Sequence, residues 1–191
     1  MSKVNQRVAI SKRLMKEALL RLLKSKHISK ISVSELCQEA QINRTTFYRY
    51  YQAPRDILQE IALDFVKEFS NQANASRKAQ EIEAFATQLC VFLYDRADMV
   101  KLFMKNDAEM DFTRIFQTLS EEFLGARIIL YRGHTVDNAT LQLINTFFSS
   151  GMYALIRQWL TEDISKTPEE IAELLCSSFH MDFSFTQNET S

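Results

Sequence analysis

Apolar residues recur along the chain at the three- and four-residue steps of an α-helix, and no stretch alternates convincingly as a strand would. In residues 7–25 the apolar positions are Ile10, Leu14, Ala18 and Leu22, widened by Leu19 and Leu23, with basic residues filling the other face. Residues 27–31 break this pattern. Ser32-Val33-Ser34-Glu35 fits the S-x-x-E capping box and predicts a short second helix with Leu36 and Ala40 turned inward. Gln41 to Asn43 read as a tight turn, with Ile42 plugging the gap between helices and Asn43 capping a third helix over residues 44 to about 50. Pro54 suits the first position of a fourth helix through Ile57, Ile61, Phe65 and Phe69.

Beyond residue 71 the helical period resumes in Ile82, Phe85, Ala86, Leu89, Phe92 and Leu93. A shorter helix is predicted over 97–105, and another carries Phe112, Ile115, Phe116, Leu119 and Phe123. Gly125 and Gly133 loosen the stretch before a long helix over 138–160, with Leu141, Ile144, Phe148, Met152, Leu155 and Trp159 on its stripe. Thr167-Pro168-Glu169-Glu170 combines an N-cap, a proline at the first helical position and two acids at the positive helix end. That final helix spans 168–180. The expected fold is all-α: a three-helix helix-turn-helix domain over 1–53, a connecting helix over 54–71, a C-terminal helical regulatory and dimerisation domain over 72–186, and a frayed tail over 187–191.

Composition narrows the function. Only 3 glycines and 2 prolines in 191 residues argue against sandwiches, barrels and dinucleotide-binding units, whose turns consume both. The formal charge of −1 conceals a division. Residues 1–55 hold 12 lysines and arginines against three acids (Glu17, Glu35, Glu39), a net +9 that leaves −10 for the rest. A basic head on an acidic body points to a polyanion-binding module joined to something else. Cys37, Cys90 and Cys176 are widely spaced and sit among apolar helical positions, so they read as small buried hydrophobes. His27, His134 and His180 have no partners at ligand spacing, and no catalytic or phosphate-loop motif occurs. The expectation is therefore no enzyme, no metal and no cofactor. The first residues lack a signal-type apolar run and no run of 18 apolar residues exists, which predicts a cytoplasmic protein without a membrane partner.

Two short helices joined by a tight turn inside a three-helix unit make a helix-turn-helix. In its third helix, Phe47 and Tyr51 are four apart and pack inward, which leaves Arg44, Thr45, Tyr48 and Arg49 on an outer surface. Hydroxyls suit phosphate oxygens, and an arginine fork suits the acceptors on a guanine edge.

The stretch KISVSELCQEAQINRTTFYRYYQAPRDIL resembles the DNA-binding signature of TetR-type transcriptional regulators, with its capped second helix, its turn, T-F-Y-x-x-F and then K-x-x-L. The match covers about residues 10–60. FFSSGMYALIRQWL followed by TPEEIAELL resembles, more loosely, the C-terminal domain of a subgroup that includes repressors of unknown ligand and co-activators. The resemblance implies DNA contacts at Ser32, Arg44, Thr45, Thr46 and Tyr48, and Arg49 on the outer face of the third helix and Asn43 at its cap complete the candidate DNA-binding set. Where that signature has lysine this chain has Pro54; Arg55 beside it is the candidate substitute cation, the alternative being that the helix N-terminus itself is the main phosphate contact. Tyr50 stands where many members have histidine.

Of 14 phenylalanines, 13 follow Tyr51. Most should be core, and Phe85, Phe92, Phe103, Phe112 and Phe116 are candidates to line an effector pocket. The stripes of the last two helices, with Phe148, Gly151, Met152, Leu155, Trp159, Ile171 and Leu175, are candidates for a twofold dimer face. The expected function is a homodimeric regulator that binds double-stranded operator DNA, a repressor released by a small-molecule effector. A co-activator controlled by a partner protein is the alternative, and a helical enzyme or adaptor with a basic head is the competing class.

Overall fold

The computed structural model is described for residues 3–75, 82–106, 137–162 and 164–179, and those residues form helices and connecting turns without a strand. α1 (Lys3–Leu23) buries Met15, Ala18, Leu19 and Leu23 completely, whereas Ile10 stays exposed because packing begins only past the helix's second turn. The break expected at 27–31 is a 3-10 turn over Ile28–Lys30, closed by the Ser29 amide donating to His27 Nδ1 at 3.3 Å.

α2 (Val33–Glu39) starts where the capping pattern places it, with the Glu35 amide donating to Ser32 Oγ at 3.2 Å. Only half of the box forms, because the Glu35 carboxylate pairs with Lys26. The turn that follows puts Gln41 in the left-handed region at φ 54°, and the Ile42 amide closes back onto the Cys37 carbonyl at 3.0 Å. Glycine would sit there without the cost of about 1 kcal/mol that a side chain incurs.

α3 (Arg44–Tyr48) ends about two residues earlier than its periodicity suggests, where the Tyr50 amide tightens onto the Phe47 carbonyl at 2.9 Å. α4 (Pro54–Ala75) begins at its proline, and Asp56 Oδ2 accepts the Gln52 and Ala53 amides at 2.7 and 2.8 Å. Those donors and the positive helix end favour a carboxylate there.

The body contains α5 (Ile82–Asp95), α6 (Ala97–Lys105), α7 (Asn138–Thr161) and α8 (Pro168–Phe179). Asp137 caps α7 by accepting the Thr140 amide at 2.9 Å. Thr167 and Glu170 cap α8 reciprocally, each side chain accepting the other's amide, at 3.3 and 2.8 Å. α5 and α8 are the most extensively packed pair. Cys90 on α5 and Cys176 on α8 are both buried, and burial, with Cys176 and Glu169 nearby, pushes the Cys90 thiol up to about 12. Such a thiol is packing material and not a nucleophile.

α4 serves both parts of the molecule. Ile57, Leu58 and Ile61 face the head core, whereas Phe65 packs on Phe92 and Phe103 at centroid distances of 4.9 and 5.6 Å. Phe69 continues the row against Phe85 and Phe92 at 5.4 and 5.2 Å. The connecting helix is thus a shared wall, not a linker. No described helix is long and apolar enough to cross a membrane. The helix expected around Phe112, Phe116 and Phe123 lies outside the described residues.

Candidate nucleic-acid interface

The outer surface of α3 follows from what its inner surface buries. Phe47 is fully buried, with Tyr48 edge-on against it at 5.3 Å and Tyr51 at 6.1 Å. Fixing these rings leaves Arg44, Thr45, Tyr48 and Arg49 exposed, with Tyr48 60% accessible. Arg44 and Arg49 form no ion pair among the described residues, so their guanidinium forks face solvent. Asn43 caps the helix, its Oδ1 accepting the Thr46 amide at 2.7 Å, and Thr46 itself is half-buried. The Asn43 side-chain amide retains its donors, and the Ser32 hydroxyl, already accepting from Glu35, retains its proton. Arg55 is exposed in the first turn of α4.

A charged cluster braces this surface from behind. Glu60 on α4 accepts Lys12 Nζ at 2.9 Å and the Tyr51 hydroxyl at 3.0 Å on Oε2, and Lys16 Nζ at 2.8 Å on Oε1. Lys16 also reaches Asp64 at 2.6 Å, and Lys12 lies 5.2 Å from the centre of the Tyr51 ring. Burial alone would raise the Glu60 carboxyl, but its three donors and the Lys16 charge hold it down to about 2. Burial, followed by the bond to Glu60, keeps the Tyr51 phenol protonated. Neither this cluster nor the Arg21–Glu39 pair at 2.6 Å was visible in the sequence, because their partners lie 9 to 48 residues apart on different elements. Part of the head's positive charge is therefore spent internally.

The pocket candidates separate. Phe103 is fully buried core, and Phe85 is half-buried against Phe69. Phe92, with Phe69, Val91, Gln72 and Arg96, lines a cavity of about 320 Å³ between α4 and α5. Phe112 and Phe116 lie outside the described residues.

The dimer-face candidates divide between two sides of the body helices. Met152, Trp159, Ile171 and Leu175 are buried within the single chain, and Phe148 and Leu155 are half-buried. The Trp159 indole stacks on Tyr94 at 5.6 Å and donates to the Lys166 carbonyl at 3.0 Å, which satisfies its N–H inside the body. That stripe is the inner side of α7. The outer side carries Leu143, 72% exposed, and Phe147, 65% exposed, followed by Gly151 and Ala154. Nothing lies within 4 Å of where a Gly151 Cβ would sit. Among the described residues no His, Cys, Asp or Glu side chains gather to hold a metal ion.

A TetR-type family model described as the transcriptional regulator C-terminal region matches residues 80–180. The HTH-type transcriptional regulator YxbF of Bacillus subtilis is 23% identical over 171 residues, covering 83% of this chain and 42% of that protein. The chain thus spans less than half the length of that relative. A TetR transcriptional regulator from Streptococcus agalactiae has the same fold, with a TM-score of 0.71 at 19% identity over 91% of this chain and 96% of that one. Lin0861 from Listeria innocua gives 0.68 at 16% identity over 94% of each chain. The dihydroxyacetone kinase operon activator DhaS gives 0.57 at 19% identity over 90% of this chain and 95% of that one.

Proposed function

The chain belongs to the TetR family of transcriptional regulators, and from that premise we propose that it binds operator DNA as a homodimer whose two α3 helices enter successive major grooves. The observation that carries this reading is the face of α3. Buried Phe47 and capping Asn43 hold Arg44, Thr45, Tyr48 and Arg49 outward, and among the described residues no carboxylate pairs with Arg44 or Arg49. Arginine forks of this kind read guanine edges, and hydroxyls position the phosphates. Regulators, not enzymes, are the relatives of this chain.

We further propose repression relieved by a small effector. The cavity between α4 and α5 supports the effector part of this reading, since it is walled by the helix that also supports the head and lined by both apolar rings and polar groups. Its volume is at the lower end of ligand pockets. A ligand there shifts DNA affinity only as far as it distinguishes bound from released arrangements.

Selection of bound duplexes from a random pool tests the proposal directly. A twofold-symmetric motif whose binding weakens steeply with salt is the expected result. Recovery of no motif, or binding insensitive to salt, would overturn it.

A further inference from the structure

Head and body meet at a buried amide. Asn106 caps the end of α6 and is 0% exposed. Its Oδ1 accepts the Ile28 amide at 2.8 Å, and its Nδ2 donates to the Leu102 carbonyl at 2.8 Å. Ile28, itself buried, opens the 3-10 turn that carries α1 into α2. One side chain on the body thus holds the backbone of the helix-turn-helix across 78 residues of sequence.

The surroundings make this contact geometrically demanding. On one side, α1 and the α5–α6 corner are separated by an open groove of about 680 Å³, and Leu102, whose carbonyl receives the Asn106 amide, lines it. The Arg96–Glu68 pair that joins α4 to the body lies nearer solvent and is more easily exchanged for water. Apolar contacts tolerate sliding. A desolvated amide does not, because rotating the head would strand the Ile28 N–H and the Asn106 oxygen without partners. The direction of the amide is also fixed, since only its nitrogen can face a carbonyl and only its oxygen an N–H.

We propose that Asn106 is a positioning residue for operator recognition: its amide sets the angle of the helix-turn-helix on the body, and so the separation of the two recognition helices. This rests on the homodimeric DNA-binding reading given above.

The test uses the full chain and pools of duplexes carrying two half-sites at varied spacing, with single half-sites as controls. The wild-type protein selects one dominant spacing. In Asn106→Leu, the turn N–H loses its acceptor, so the preference broadens over several spacings and affinity for the wild-type spacing falls by about tenfold. Affinity for a single half-site stays unchanged. Asn106→Ser is too short to reach the turn but admits water, and it gives the same readings should the leucine protein fail to fold. A folded variant that keeps the single wild-type spacing at full affinity overturns the proposal. So does a parallel fall in half-site and paired-site affinity, which marks a merely structural residue. A wild-type protein that binds half-sites at no fixed spacing overturns the dimer reading, and this inference falls with it.

Discussion

The phenol of Tyr51 and the carboxylate of Glu60, 3.0 Å apart, tie the segment just past the recognition helix to α4. The same carboxylate draws Lys12 and Lys16 of α1 onto α4, so one acidic group fixes three elements of the head. Because its charged form gains these donors only in the folded state, Glu60 links folding to pH.

Glu60 is held at about 2 when folded, against an ordinary value of 4.5. A depressed carboxyl contributes stability that is complete above its unfolded value and lost as pH falls through the folded one. The window therefore runs from about pH 5 down to pH 2. Glu60→Gln should lower stability at neutral pH by about 1–2 kcal/mol, discounted for partial exposure, and should flatten the acid limb. Urea unfolding between pH 7 and pH 3 measures both. An acid limb as steep as wild type would assign the acid sensitivity to other carboxylates.

The Tyr48 ring stands perpendicular to that of Phe47, and the residue is largely exposed. Tyr48→Phe keeps the ring and removes only the hydroxyl, so binding should weaken by a similar factor for every duplex tested. Competition binding on matched and mismatched operators checks this. A changed base preference at undiminished affinity would place the hydroxyl on a base edge.

Arg44 opens α3 and is exposed. Arg44→Ala should relax selection at one or two base pairs per half-site and cost roughly 1–3 kcal/mol if its fork is bidentate. An unchanged selected motif would move the specificity contact to Arg49 or Thr45.

What was legible in the sequence was local. Ser32, Asn43 and Thr167 each cap a helix within three residues, and Pro54 starts one, so their patterns survive in a linear reading. The inward turn of Phe47 and Tyr51 follows from four-residue spacing alone. What stayed hidden depends on distant partners. Asn106 gave no signal, because an asparagine after an amphipathic helix reads as a simple stop, and its partner is a backbone amide 78 residues away. Gln41 occupies a left-handed position that usually announces itself as glycine. α7 is apolar on two sides, and periodicity cannot say which side the same chain covers. The aromatic with an N–H to satisfy, Trp159, went inside, where the Lys166 carbonyl awaited it.

The second apolar side of α7 carries the last prediction. Leu143 and Phe147 lie one turn apart and largely exposed, and Gly151 and Ala154 continue the face with little side chain to keep another helix away. A twofold axis through such a face brings each Phe147 against its own copy or the facing glycine, and central aromatics tend to dominate interface energy. Phe147→Glu puts two desolvated like charges there, so the dimer should weaken and its dissociation constant should rise at least about 30-fold. Light scattering should report monomers, circular dichroism should report unchanged helix content, and paired half-sites should be bound no better than single ones. Leu155→Arg is the contrasting variant, because Leu155 packs on the core of its own chain and its replacement should unfold the body. A dimeric, folded Phe147→Glu protein would remove this face from the interface. Unfolding by Phe147→Glu but not by Leu155→Arg would reverse the assignment of the two sides of α7.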